Sequence, residues 1–587
     1  MKVIVATLNA KYIHMSLALR YLKAYCDRDF DIDIAEYTIK DPLMNVVSDL
    51  FSRSPDVVGF SCYIWNIEET LKIVKMLKKV RPDLLIVLGG PEVSYDTEEW
   101  LRKVPEVDFI VMGEGEETFH HLLSELAGKR KFHFVFGLAY RKARKVLVNP
   151  GRAKLELNEI PSPYRFARDV PELPNRVVYF ETSRGCPFSC QFCLSSIEVG
   201  VRYFDIERTK RDLLYLIESG AKLIKFVDRT FNIKREYALE IFRFLIENHR
   251  GCVFQFEITA DIMRPEVLDF LAEHAPPGIF RFEIGVQSTN DTTNEIIQRR
   301  QNFAKLTRTV TTIKNSGKID QHLDLIAGLP EEDYASFHNT FNDVFALRPE
   351  ELQLGFLKML RGTGLRRDAD KYGYTYMDHA PYEILGNQVL PFSDIVRIKR
   401  VEDVLEKYWN AHRMDHTVEY LIAHEFASAF DFFQALGDYW EERGWQRIGH
   451  QLEDLFARLR EFLTSRETSR LPIIEGLMKL DYFLNHKYKP RKIWWNFSLD
   501  KTKQGEYLSL IAEHPDWVSD EFAALGASER ELHKHAMIEV LPFRLREYWS
   551  RGVIDTDADT LLIAYFEPDS KAKAQVYTLE LKQLTIS

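Results

Sequence analysis

The stretch RGCPFSCQFCLSS, residues 184–196, sets Cys186, Cys190 and Cys193 in a CxxxCxxC spacing. Three thiolates suit soft iron. A four-iron cube held by three of them keeps one iron open to a small molecule. A closed electron-transfer cluster takes four cysteines, and structural zinc takes four closed ligands; no fourth cysteine or close histidine follows here. An open-site cluster is therefore expected, with structural zinc as the alternative. Cys26, Cys62 and Cys252 lie far apart and read as small buried hydrophobes. Six cysteines in 587 residues, three of them clustered, imply metal binding in a reducing compartment and no disulfide scaffold.

Outward from the cysteines, strand-like runs recur: VVYFETSRG, KLIKFVDRT, VFQFEITAD, IFRFEIGVQS, DQHLDLIAGLP and ELQLGFLKML. Helical stretches such as ERTKRDLLYLIESG and REYALEIFRFLIENH separate them. Six β/α repeats over residues 177–375 fit a parallel partial barrel with its site at the C-terminal strand ends. Asp228, Glu257, Asp261, Glu283, Gln287 and Glu331 fall at those ends.

Residues 1–150 also alternate buried-strand runs (KVIVATLN, DIDIAEYTI, DVVGFSCY, LLIVLGGP, DFIVMGEGE) with helical patterns. This is the signature of a doubly wound, Rossmann-like parallel sheet. Ser61, Gly89, Gly90, Gly113, Glu114 and Gly115 follow its strands, where such sheets bind ligands. Residues 151–176 are proline-rich with little periodicity and read as an ordered linker. From 376 to 587 long aromatic-rich helical patterns dominate, and TLLIAYFEP with AQVYTLELK reads as a closing hairpin. The expected fold class is thus α/β: a Rossmann-like domain, a (β/α)6 partial barrel, and a mainly helical C-terminal domain.

The net charge of −10 gives no basic field to draw in nucleic acid. The one basic cluster, His486, Lys487, Lys489, Arg491 and Lys492 before Trp494 and Trp495, reads as a solvated loop. With neither a signal-like N-terminus nor an apolar run near 20 residues, a cytoplasmic protein without a membrane partner is expected.

The cysteine spacing at the head of a six-fold β/α segment, with aromatic Phe192 before the third cysteine, resembles the radical S-adenosylmethionine superfamily. The resemblance implies a [4Fe–4S] cluster on Cys186, Cys190 and Cys193, whose open iron chelates S-adenosylmethionine. It implies reductive cleavage to a 5′-deoxyadenosyl radical and a reductant of flavodoxin or ferredoxin type. Phe192 would lie near the adenine. Asp228, in VDRTF, would stand where the family often carries a Gly-Gly-Glu contact to the amine, although the glycines are missing. Glu257, Asp261 and Glu283 would serve the ribose and methionine, with a rim salt bridge as the alternative for each acid, and Gln287 would be a further cofactor-binding residue. Gly328 in LIAGLPEE would pass the adenine.

GFSCYIWN, LGGPEVS and MGEGEETF, in that order, resemble the cobalamin-binding domain that precedes many radical S-adenosylmethionine domains. Glycines after successive strands let backbone approach a large flat ligand. A DxHxxG motif, which would supply a lower cobalt ligand, is missing from the sequence. His14 is the nearest histidine and reads as a surface or capping residue. The resemblance puts the loop carrying Tyr63 and Trp65 beneath the corrin, where one ring or the other would keep water from the lower cobalt face; the alternative is that Trp65 is plain core.

The implied activity is that of a cobalamin-dependent radical enzyme, foremost a methyltransferase on an unidentified substrate. A non-methylating cyclisation or rearrangement and a non-enzymatic cluster and corrinoid sensor are the alternatives. A methylthiotransferase would need three N-terminal cysteines, and only Cys26 and Cys62 are there. The C-terminal segment resembles an accessory domain of unknown function that follows some cobalamin-type radical enzymes.

Overall fold

The computed structural model describes residues 1–143, 145–197, 200–568 and 572–585. The chain divides into two units, Met1–Ile395 and Val396–Ser587.

The first unit opens with seven strands: β1 (Lys2–Asn9), β2 (Asp31–Thr38), β3 (Val57–Ser61), β4 (Leu85–Gly89), β5 (Phe109–Val111), β6 (Leu138–Lys142) and β7 (Lys145–Val148). Their order is β2-β1-β3-β4-β5-β6-β7. The first five run parallel, and β6 and β7 close the edge as an antiparallel hairpin. That hairpin was not legible in the sequence, because LAYRK and KVLV are short and half polar. β1, β3 and β5 have apolar cores, as strands covered on both faces require.

The connection through 151–176 is ordered. Leu155, Leu157, Ile160 and Tyr164 are buried in it. Its Asp169 joins Glu36 in gripping the buried Arg20 guanidinium, each at 2.9 Å.

The barrel segment supplies β8 (Val177–Phe180), the hairpin β9 (Ser183–Cys186) and β10 (Gly200–Tyr203), then β11 (Leu223–Phe226), β12 (Val253–Ile258), β13 (Phe280–Gln287), β14 (Ile319–Ala327) and β15 (Glu351–Phe356). β8 and β11 to β15 form one parallel six-stranded sheet, in the order β15-β14-β13-β12-β11-β8. Burial alternates strictly along β12, β13 and β14. Phe254, Phe256, Phe280 and Phe282 form the apolar face, and Phe242 of the helix Arg235–Asn248 packs on it, 5.1 Å from the Phe256 ring. The opposite face carries Gln255, Glu257, Arg281, Glu283, His322 and Asp324, all half-buried. A small antiparallel pair, β16 (Thr375–Tyr376) and β17 (Ile384–Gly386), follows the last barrel strand.

The second unit is mainly helical, with helices Asp415–His424, Ala429–Glu442, Leu452–Ser465, Leu471–Asn485 and Lys501–Glu513. β18 (Ala536–Leu541), β19 (Thr560–Tyr565) and β20 (Gln575–Glu580) form an antiparallel sheet in that order. The closing hairpin expected from the sequence is β19–β20, and β18 extends it. Within the basic cluster's loop, Trp495 is buried and its indole N–H donates to Glu539 at 2.6 Å. Among the described residues no helix is long and apolar enough to cross a membrane.

Candidate functional site

A cavity of about 790 Å³ lies between the C-terminal strand ends of the first sheet and the start of the barrel. All eight residues expected after the first sheet's strands, Ser61, Tyr63, Trp65, Gly89, Gly90, Gly113, Glu114 and Gly115, line it. They converge from three loops because parallel strands end on one edge of the sheet. Gly90 adopts φ +104°, and a Cβ there would stand 2.6 Å from the Cys62 carbonyl oxygen. A side chain is excluded by the backbone itself. The Tyr63 and Trp65 rings stack at 4.2 Å and 7° from parallel, with Trp65 about half exposed (48%).

The opposite wall includes Tyr179, Glu181, Ser183, Arg184 and Gly185, the run that leads into Cys186. His14 also lines the cavity, and its Nδ1 meets the Tyr179 hydroxyl at 2.9 Å. This corrects its reading as a surface or capping residue. Burial and the nearby cations Lys11, Lys225 and Arg176 lower its pKa, favouring the neutral ring.

Cys186 ends β9, and Gly185 beside it has φ +101° with the Gly200 oxygen where a Cβ would be. Only glycine lets the two strands of this hairpin approach so closely. Ser196 donates to the carbonyls of Cys190 (2.5 Å) and Cys193 (2.7 Å), and the Gln191 N–H donates to Ile297 (2.9 Å), so the loop is held at both ends. Cys186 and Cys190 are buried and Cys193 half-buried. Burial pushes the thiols of Cys186 and Cys190 up, and the charge of neighbouring cysteines adds to it. Arg299, 4.0 Å from the Cys190 sulfur, opposes that shift.

The three thiols are thus within electrostatic reach of one another. Yet among the described residues no three Cys, His, Asp or Glu side chains converge tightly enough for a single metal ion. Three such thiolates are the donor set that a [4Fe–4S] cluster with one open iron would take.

The remaining expected residues are dispersed over the barrel mouth and its polar face. Phe192 is half-buried in the cysteine loop. Asp228 is 1% exposed, and its carboxylate accepts from Thr182 N–H (2.9 Å), Thr182 Oγ1 (2.6 Å) and Ser183 Oγ (2.5 Å). That places the carboxylate in support of the strand carrying Cys186, and the cavity is lined instead by its neighbours Val227 and Arg229. Glu257 has Arg229 at 3.8 Å, and burial pushes its pKa up to about 7. Glu283 accepts from Lys225 at 2.7 Å and from Gln255. Asp261 accepts the Asn302 N–H at 2.9 Å. Gln287 has φ +71°, and its buried Oε1 has no hydrogen-bond partner. Gly328 has φ +92° and packs against Ile384.

The sequence reading missed Arg184. Its guanidinium is 2.6 Å from Glu116 and 2.8 Å from Glu181, and it also faces Glu114. An arginine directly before the motif's glycine, opposite an acid-rich GEGEE turn, was the available signal.

Family comparisons agree with this layout. Residues 2–123 match the B12 binding domain, residues 180–344 the Radical SAM superfamily, and residues 370–563 a protein of unknown function, DUF4080. An uncharacterized methyltransferase of Pyrococcus horikoshii is 31% identical over 233 residues, covering 38% of this chain and 51% of that one. The cobalamin-dependent radical SAM methyltransferase TokK of Streptomyces tokunonensis is 29% identical over 352 residues, covering 56% of this chain and 51% of its own length. The chain therefore spans about half the length of these relatives. The radical S-adenosylmethionine methyltransferase TsrM of Kitasatospora setae, solved with cobalamin and a [4Fe-4S] cluster, shares the fold: TM-score 0.57 at 14% identity, covering 76% of this chain and all of that one.

Proposed function

We propose that this chain, a radical SAM protein with a B12-binding domain ahead of its barrel, is a cobalamin-dependent radical SAM enzyme and a methyltransferase. The observation that carries the reading is the shared cavity wall: Ser183–Gly185, facing the glycine turns of the first sheet, runs directly into Cys186. A corrinoid in that cavity would lie against the strand that holds the cluster. The names of the two relatives point the same way. When bound, the cluster and S-adenosylmethionine would supply a 5′-deoxyadenosyl radical, and the corrinoid a methyl group.

In this reading Cys186, Cys190 and Cys193 hold the cluster, and Arg299 offsets negative charge at Cys190. Phe192, Glu257, Asp261, Glu283, Gln287 and Gly328 border the S-adenosylmethionine site. Asp228 supports it through Thr182 and Ser183. Ser61, Gly89, Gly90, Gly113, Glu114 and Gly115 admit the corrinoid, with Tyr63 and Trp65 excluding water from its lower face. Neutral His14 is held toward the cavity by Tyr179. Electrons would come from a flavodoxin or ferredoxin in the cytoplasm. The domain division at 150, 176 and 375 belongs to this proposal as well.

The test is anaerobic reconstitution of the full chain with iron, sulfide and hydroxocobalamin, each quantified, followed by dithionite-driven cleavage of S-adenosylmethionine. Wild type should form 5′-deoxyadenosine, and Cys190→Ala should lose bound iron and nearly all cleavage. Wild-type iron content and cleavage in that variant would refute the cluster assignment. A product heavier by one methylene unit identifies methyl transfer, and an unshifted mass rejects it.

A further inference from the structure

Just beyond β15, the five residues Arg361–Leu365 touch both candidate cofactor sites. Arg361 is 5% exposed and reaches into the B12-binding domain. Its guanidinium lies 2.9 Å from Asp96, 3.2 Å from Glu99 and 3.5 Å from Glu92, with its carbon 4.8 Å from the Trp100 ring centroid. Tyr382 completes the set, donating to Glu92 at 2.5 Å and accepting from Arg361 Nε at 3.2 Å. An arginine fork can serve separate acceptors in this way, and a buried guanidinium requires them.

Glu92 stands two residues after Gly90 and one after Pro91, both of which line the cavity. Gly362, at φ +86°, lies against the ring of Tyr95, another cavity residue; a Cβ there would be 2.6 Å from the ring. Two residues on, the segment turns to the cysteine loop. A Cβ on Gly364 would fall 1.8 Å from Gln191 Oε1, and the Leu365 N–H donates to the Gln191 carbonyl at 3.0 Å. Gln191 is the residue directly after Cys190.

We infer that Arg361–Leu365 is a strap through which the corrinoid cavity and the cluster loop set each other's geometry, with Arg361 as its positioning residue. The inference rests on the cofactor reading above. The Gly90–Tyr95 turn cannot shift without moving the buried Glu92 carboxyl, which clasps Arg361 together with the more exposed Asp96 and Glu99, and the strap's other end is hydrogen-bonded to the cluster loop. Any such coupling is reciprocal: the cluster must alter corrinoid affinity by the factor that the corrinoid alters the cluster loop's equilibrium.

The experiment compares hydroxocobalamin binding to the full chain, anaerobically, with the cluster reconstituted and with it omitted, followed by corrin absorption. Electron paramagnetic resonance of the reduced cluster, with and without hydroxocobalamin, gives a second readout. In wild type, reconstitution should change the cobalamin Kd by about 5-fold or more, and cobalamin should alter the cluster spectrum. Gly364→Ala displaces the flexible Gln191 side chain and leaves the cavity wall untouched. It should keep the Kd of the cluster-free protein and reduce the dependence on cluster to below about 2-fold. Arg361→Gln should uncouple the sites from the other end, and the glycine variant carries the test if the arginine variant fails to fold. Equal Kd values and unchanged spectra in wild type, or full coupling in Gly364→Ala, would overturn the strap and leave the cofactors in place. A chain that takes up neither cobalamin nor cluster would instead overturn the cofactor reading, and the strap with it.

Discussion

The Arg184 guanidinium lies 2.6 Å from the Glu116 carboxylate, tying the strand that ends in Cys186 to the helix that begins beside Gly115. Both side chains are largely buried, and Glu181 shares the same cation. Arg184→Met removes a charge that compensates Glu116 and Glu181, and uncompensated buried charge is costly. The loss should be about 3–5 kcal/mol, read as a lower urea midpoint for the first unit. Glu116→Gln in the same background should recover part of it. Additive losses in the double variant would show that the pair is not coupled.

Tyr63 and Trp65 form a stacked pair at the cavity, and Trp65 is the more exposed ring. If this pair keeps water from the lower cobalt face, Trp65→His places a ligating nitrogen where an apolar ring stood. Bound hydroxocobalamin should then show a changed absorption spectrum, while thermal stability stays near wild type because the ring is half exposed. Spectra identical to wild type would remove Trp65 from the corrinoid site.

The cysteine loop and the glycine turns were legible in the sequence because their chemistry is local. CxxxCxxC places three cysteines within eight residues, and the glycines follow successive strand ends, where Gly90 answers a backbone constraint of its own turn against Cys62. Asp228 was less legible, since an acid at a strand end can face the barrel mouth or bond to the adjacent turn. Thr182 and Ser183, which decide the matter, lie more than 40 residues away. His14 and Tyr179 are separated by 165 residues, and Arg361 and Asp96 by 265. Nothing local marks either pair. The six barrel strands were legible from their alternation, whereas β6, β7 and β18 were too short or too mixed to stand out.

Gly328 was read as an adenine contact, and its packing sets a separate requirement. Its φ is +92°, and a Cβ would sit 1.9 Å from Ile384 Cδ1. Gly328→Ala should therefore destabilise the first unit by about 1–3 kcal/mol through overpacking, with added strain from the left-handed backbone. Ile384→Val deletes the clashing methyl and should return part of that loss in the double variant. An unchanged cost in the valine background, measured by urea unfolding, would place the whole effect on the backbone.

In the second unit, Asp481 is buried and accepts from Thr417 N–H (2.8 Å), Thr417 Oγ1 (2.6 Å) and His416 N–H (3.3 Å). Burial pushes its pKa up to about 7, the hydrogen bonds oppose the shift, and nearby Asp415 adds to it. An unfolded aspartate titrates near about 4. Between those values the folded chain holds the proton that the unfolded chain has lost. Stability from this group is therefore full below about pH 4, falls as pH rises toward about 7, and levels off above it. Asp481→Asn removes the titration while keeping an acceptor for Thr417. The difference in urea midpoint between variant and wild type should grow in the variant's favour from about pH 4.5 to about pH 7.5. A difference that stays constant across that range would mean that Asp481 does not hold its proton in the folded chain.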